Sequence, residues 1–162
     1  LTEELATRAR SWILKQAALA PDRPMFVYFA PGATHAPLQA PRRWIDRFRG
    51  RFDMGWDEYR RLVFERQKAI GVIPADAALT SRPPEIPAWD SLQPDQKKVA
   101  ARLMEVFAGM MAQADFEIGR VLDAFRETGQ LENTLVIYVA GDNGASLEGS
   151  LEGTDNVMEL VN

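Results

Sequence analysis

The chain alternates between stretches with apolar residues every three or four positions and short, solid apolar runs. Leu5, Ala9, Trp12, Ile13 and Ala17 recur at helical spacing, with Thr2 as the expected cap and Glu3 and Glu4 in the first turn. Acids there suit the positive end of the helix dipole. Pro21 and Pro24 end this helix, and Met25-Phe26-Val27-Tyr28-Phe29-Ala30 then reads as a buried strand. It breaks into a Pro- and Gly-rich loop, Pro31-Gly32-Ala33-Thr34-His35-Ala36-Pro37. A short helix is predicted over 41–48, with Pro41 at its first position, Trp44, Ile45 and Phe48 on its apolar side and Gly50 closing it. Another is predicted over 57–70, with Tyr59, Leu62, Val63, Phe64 and Ala69 facing inward and Gly71 as its stop.

Residues 72–93 read as a long loop, since Pro74, Pro83, Pro84 and Pro87 interrupt any regular element. Trp89 is its expected anchor onto the body. Pro94 opens the longest helix, whose core-facing stripe is predicted as Val99, Leu103, Val106, Phe107, Met110, Ala114, Ile118, Val121, Leu122 and Phe125. Gly129 stands where a helix stop belongs. Thr134-Leu135-Val136-Ile137-Tyr138-Val139 then reads as a second buried strand, ending in Ala140-Gly141-Asp142-Asn143-Gly144. Strands separated by helices imply an α/β fold, a parallel-type sheet flanked by helices. Two strands make a poor sheet, so the chain reads as a single partial domain over residues 1–162. The strands it lacks are expected in sequence outside it.

Composition changes this picture little. The 162 residues are 46% hydrophobic and 26% charged, an ordinary globular balance. The net charge of −4 gives no footprint for nucleic acid, and no apolar run nears the ~20 residues of a membrane span. Residues 41–68 hold nine basic and five acidic groups, which reads either as a solvated face or as steering of an anionic substrate. With no cysteine there is neither a disulfide nor a thiolate nucleophile. That absence fits both bacterial periplasm and cytoplasm, so the compartment stays open. The chain opens inside a helix and stops without a closing element, which reads as an internal piece of a longer protein.

Parallel sheets bind ligands beyond the carboxyl ends of their strands. Both polar breakouts belong to that edge, and each supports two readings. His35, the single histidine, is either a structural loop residue or a catalytic group suited to proton donation or to hydrogen bonding an anion. Asp142 and Asn143 are either turn residues or hard oxygen donors for Ca²⁺ or Mg²⁺. Two side chains do not fill a Ca²⁺ shell of about six to eight oxygens. No glycine-rich phosphate loop is present.

Three segments together resemble the type I sulfatases of the alkaline-phosphatase superfamily. They are Phe26 to Pro37, Ile118-Gly119-Arg120-Val121-Leu122-Asp123, and Asn133 to Gly144. Phe52-Asp53-Met54-Gly55-Trp56-Asp57, Arg66 to Pro74 and Pro87-Ala88-Trp89-Asp90-Ser91-Leu92 are similar to bacterial-type arylsulfatases in particular. The resemblance implies an alkaline phosphatase-like fold and hydrolysis of sulfate monoesters. It implies a divalent cation, usually Ca²⁺, with Asp142 and Asn143 among its ligands, and His35 at the sulfate or the leaving group. It also implies a formylglycine nucleophile made from a Cys/Ser-x-Pro-x-Arg motif.

That motif is not in this chain. Ser81-Arg82-Pro83-Pro84-Glu85 comes nearest and has Glu where Arg is required. The expectation is therefore an arylsulfatase parent whose nucleophile lies upstream, and a piece that is inactive alone. A phosphodiesterase or phosphonate monoester hydrolase of the same superfamily, or a non-catalytic scaffold, are the alternatives. An unclosed sheet exposes strand edges and apolar surface, so self-association of the isolated chain is expected.

Overall fold

The computed structural model describes residues 1–139. Four α-helices are formed among them: α1 (Thr2–Leu19), α2 (Arg42–Ile45), α3 (Gly55–Ala69) and α4 (Pro94–Glu127). Short 3₁₀ turns follow at Asp46–Phe48, Trp89–Ser91 and Leu131–Asn133. The helices come in the predicted order, with local differences at their starts. Helix α1 begins at Thr2 itself, so Leu1 takes the cap position and no side chain caps it. Pro41 is likewise the residue before α2 rather than its first turn.

Helix α4, 34 residues and about 50 Å long, is the spine. Its start is fixed by Pro94 in the first turn and by the Gln96 side chain, which accepts the Gln93 N–H at 2.9 Å. Its end is fixed by Gly129, whose φ of 71° lets the chain reverse. The Gln130 N–H reaches the Phe125 carbonyl and the Gly129 N–H the Arg126 carbonyl, the paired bonds of a Schellman stop. Gly71 ends α3 in the same way, with Val72 bonded to Gln67 and Gly71 to Lys68.

The buried line of α4 runs at steps of four through Ala101, Glu105, Gly109, Gln113, Glu117 and Val121. Of the predicted apolar stripe, Ala114, Val121 and Phe125 are buried, and the first half is not. Val99 is exposed, and Leu103, Val106, Phe107 and Met110 are half-buried. Glycine stands at position 109 on this line because backbone passes close by. A Cβ on Gly109 would stand 2.9 Å from the backbone of Ile45 in α2. Helix α1 packs along the other half of the line, where Ala6 and Ile13 close a core with Val121, Ala124 and Phe125. Arg10 pairs with Glu127 at 2.6 Å, and Arg120 donates to Thr7 at 3.3 Å. The paired positions advance in the same sense along both helices. Of the predicted inward face of α1, Ile13 goes under and Trp12 stays 45% exposed.

A second core gathers Phe52, Trp89 and Ala101, with Phe48, Trp56 and Met104 around them. It fastens the proline-rich stretch to α3. Trp89 is the expected anchor: it is buried and meets Trp56 edge to face at 4.9 Å. A Cβ on Gly55 would fall 2.1 Å from the Trp89 ring, so that position requires glycine. Trp56 donates its indole N–H to the Pro87 carbonyl, Arg60 donates to Thr80, and Lys68 donates to the Ala77 carbonyl. Helix α3 is otherwise a surface helix, and Tyr59, Leu62 and Ala69, expected inward, are exposed.

The two expected strands form no ladder, and no strand occurs among the described residues. The reason is physical. A helix satisfies its N–H and C=O groups internally, whereas a strand needs a neighbouring strand. No backbone hydrogen bond joins residues 25–30 to residues 135–139. The strand period nevertheless survives in the first run. Met25, Val27 and Phe29 pack against the α1–α4 core, while Phe26 and Tyr28 are 89% and 84% exposed. All five residues of Leu135–Val139 are exposed.

Candidate active site

His35 is carried by the loop that leaves the docked run Met25-Val27-Phe29. Its N–H donates to the Gly32 carbonyl at 2.9 Å, closing a turn, and Pro31 and Pro37 flank that turn. The imidazole is exposed, and its Nδ1 lies 2.7 Å from the Ala36 carbonyl oxygen. The ring thus stands on an exposed loop and contacts that loop's own backbone.

Asp142 and Asn143 lie outside the described residues, so their approach to His35 is not placed here. Among the described residues no group of three His, Asp or Glu side chains gathers to hold a metal ion. Nor is any helix there long and apolar enough to cross a membrane.

Part of the charge of residues 41–68 is paired within the chain. Arg43 pairs with Glu3 at 2.9 Å, Arg49 with Asp46 at 2.9 Å and Arg61 with Glu58 at 2.6 Å, while Arg47 lies over the Trp44 ring. An open groove of about 410 Å³ is lined by Asp53, Trp89, Lys97, Lys98, Arg102 and Glu105. Its cations are engaged as well, Arg102 with Glu105 at 2.6 Å, Lys98 with Asp95 at 3.1 Å, and Lys97 over Trp89. These contacts make it part of the scaffold.

Three acids that sequence patterning passed over organise that scaffold. Glu105 is buried on α4, accepts the Gly50 N–H at 2.7 Å and so ties down the turn after α2. Glu117 is 1% exposed and is neutralised by Arg120 at 2.6 Å. Asp57 accepts the Trp89 N–H and the Arg82 guanidinium at 2.9 and 2.8 Å. The Trp89 N–H first, and Arg82 second, hold its carboxyl below the usual carboxylate range. Their signal in the sequence was weak: single acids on a helix read as part of a solvated face.

The Sulfatase family model matches residues 1–158, nearly the whole chain. The chain belongs to the sulfatase family. It is 37% identical over 145 residues to an arylsulfatase of Klebsiella aerogenes, covering 90% of this chain and 30% of that protein. It is 40% identical over 135 residues to an uncharacterized sulfatase of Schizosaccharomyces pombe, covering 78% of this chain and 22% of that protein. This sulfatase-family chain thus spans less than a third of the length of either relative. Membership implies the α/β class, of which the described residues show helices and no strand.

Proposed function

We propose that this chain forms part of a sulfate monoester hydrolase of the arylsulfatase type. The observation that carries the reading is the continuous family match over residues 1–158, joined to 37% identity with an arylsulfatase. In this reading His35 faces the sulfate ester, hydrogen-bonding a sulfate oxygen or giving a proton to the departing oxygen. Asp142 and Asn143 contribute oxygen donors for Ca²⁺ or Mg²⁺, whose chemistry is charge neutralisation at the sulfate. The remaining ligands and the formylglycine nucleophile come from sequence outside this chain, which has no cysteine and no matching serine motif.

Two measurements test this. The purified 162-residue chain is expected to show no turnover of an aryl sulfate, and turnover would sink the claim that the piece is incomplete. In the full-length parent, His35→Ala is expected to lower kcat for an aryl sulfate by about 10²–10⁴-fold, the range of a positioned proton donor. Full activity in that variant would remove His35 from the chemistry. A parent that cleaves aryl phosphate diesters in preference to aryl sulfates would move the assignment to phosphoryl transfer.

A further inference from the structure

We infer that residues 55–89 form an arm that opens from α4 as one unit and leaves the α1–α4 core, with the run that carries the His35 loop, closed.

The arm is shut at its neck. Helix α3 starts at Gly55 and the proline-rich stretch ends at Trp89, and the two residues touch. The Trp89 ring fills the space where a Cβ at position 55 would stand. Two further ties lie at the same place. Trp56 donates its indole N–H to the Pro87 carbonyl at 3.0 Å, and Asp57 accepts the Trp89 N–H at 2.9 Å. Farther out, Arg60 donates to Thr80 at 2.6 Å and Lys68 to the Ala77 carbonyl at 3.2 Å. The outgoing helix and the returning chain are thus tied at intervals along their length. Among the described residues, every side-chain hydrogen bond and ion pair made by residues 56–88 ends within 56–89.

The arm meets the body through its base. Phe52, Trp89 and Ala101 are the buried residues of that contact, and Tyr59 adds an edge-to-face contact with Phe52 at 5.3 Å. Among the helical elements, α3 packs most against the Trp89–Ser91 turn rather than against α4. The core that holds Met25, Val27 and Phe29 is a separate cluster, built on Ala6, Ile13, Val121, Ala124 and Phe125. The two clusters share no residue, and Ala101 and Val121 lie about 30 Å apart along α4. Between them the buried line of α4 carries Gly109, Gln113 and Glu117, small or polar groups that join neither cluster. Opening at the base therefore uncovers surface in one cluster and leaves the other intact. The arm takes its own ties with it, so none of the hydrogen bonds between α3 and the returning chain has to break.

The test is native-state amide hydrogen exchange of the 162-residue chain in low, sub-denaturing urea. The amides of α3 are expected to share one opening free energy and to exchange about tenfold or more faster than those of residues 117–125. Exchange of α3 at the same rate as residues 117–125 overturns the inference. So does exchange of the α3 amides one by one, with unrelated opening free energies. Gly55→Ala drives a Cβ into the Trp89 ring and loosens the base. It is expected to speed α3 exchange by about tenfold again while residues 117–125 keep their protection. A loss of protection shared equally by both regions also overturns the inference.

Discussion

The α1–α4 contact and the two extended runs are built from similar apolar residues and end up in opposite states. Across the contact, Ala6 and Ile13 are fully covered by Val121, Ala124 and Phe125. The acid that goes under with them, Glu117, has Arg120 beside it. Along the runs, Phe26, Tyr28 and all of Leu135–Val139 stand in solvent. The difference is one of closure. Two helices need only each other's side chains to complete a core, because each has already satisfied its backbone. A strand brings unsatisfied backbone and two faces, and both must be met by chain from elsewhere. Here α1 and α4 meet one face of the first run and nothing among the described residues meets the other.

The contrast breaks most directly at Ile13. Ile13→Ala is expected to lower the unfolding free energy by ~2–5 kcal/mol in urea denaturation, whereas Phe26→Ala stays within ~0.5 kcal/mol. Equal losses would mean that the bare face is covered in the isolated chain. Next comes the close approach of α4 to α2. Gly109→Val pushes a branched side chain against the Ile45 backbone, with an expected loss of ~1–3 kcal/mol. A neutral result would show that the two helices part easily.

The exposed face is tested by association rather than by stability. We predict that the 162-residue chain self-associates, and that Phe26→Lys with Tyr28→Lys shifts it toward monomer at unchanged unfolding midpoint. A wild-type chain that scatters light as a monomer would count against this. The smallest effect concerns the clamp on the proline-rich stretch. The Asp57 carboxyl is held below its ordinary range by the Trp89 N–H and Arg82. Its folded value therefore lies under its unfolded one, so the linked stability is present at neutral pH and fades as pH falls through the acid range. Asp57→Asn should flatten the acid limb of a stability–pH curve, and an unchanged slope would clear Asp57 of that part.

Much of the helical layer was legible in the chain. Pro94 and Gly129 bracket α4, and Gly71 ends α3, because a missing N–H and a positive φ are properties of single residues. Of the face that α4 buries, Ala114, Val121 and Phe125 were legible and the rest was not. Periodicity pointed to Val99, Leu103 and Phe107, whereas contact selected Ala101, Glu105, Gly109 and Glu117. Close approach of backbones favours small residues, and a buried acid is tolerated only where an arginine or a peptide N–H waits for it. Neither condition is visible until the partner is in place. The candidate site divides in the same way. The place of His35 in a loop after an apolar run could be read from the residues, but its bond to the Ala36 carbonyl could not.

By itself, then, the sequence determined where helices start and stop and which runs have apolar, β-branched character. These depend on local stereochemistry and on side-chain identity. The tertiary structure alone decided which side of each element goes under and which acids are paired. Those outcomes depend on what lies across a gap of a few ångströms, supplied by residues distant in the chain or by a loop's particular turn.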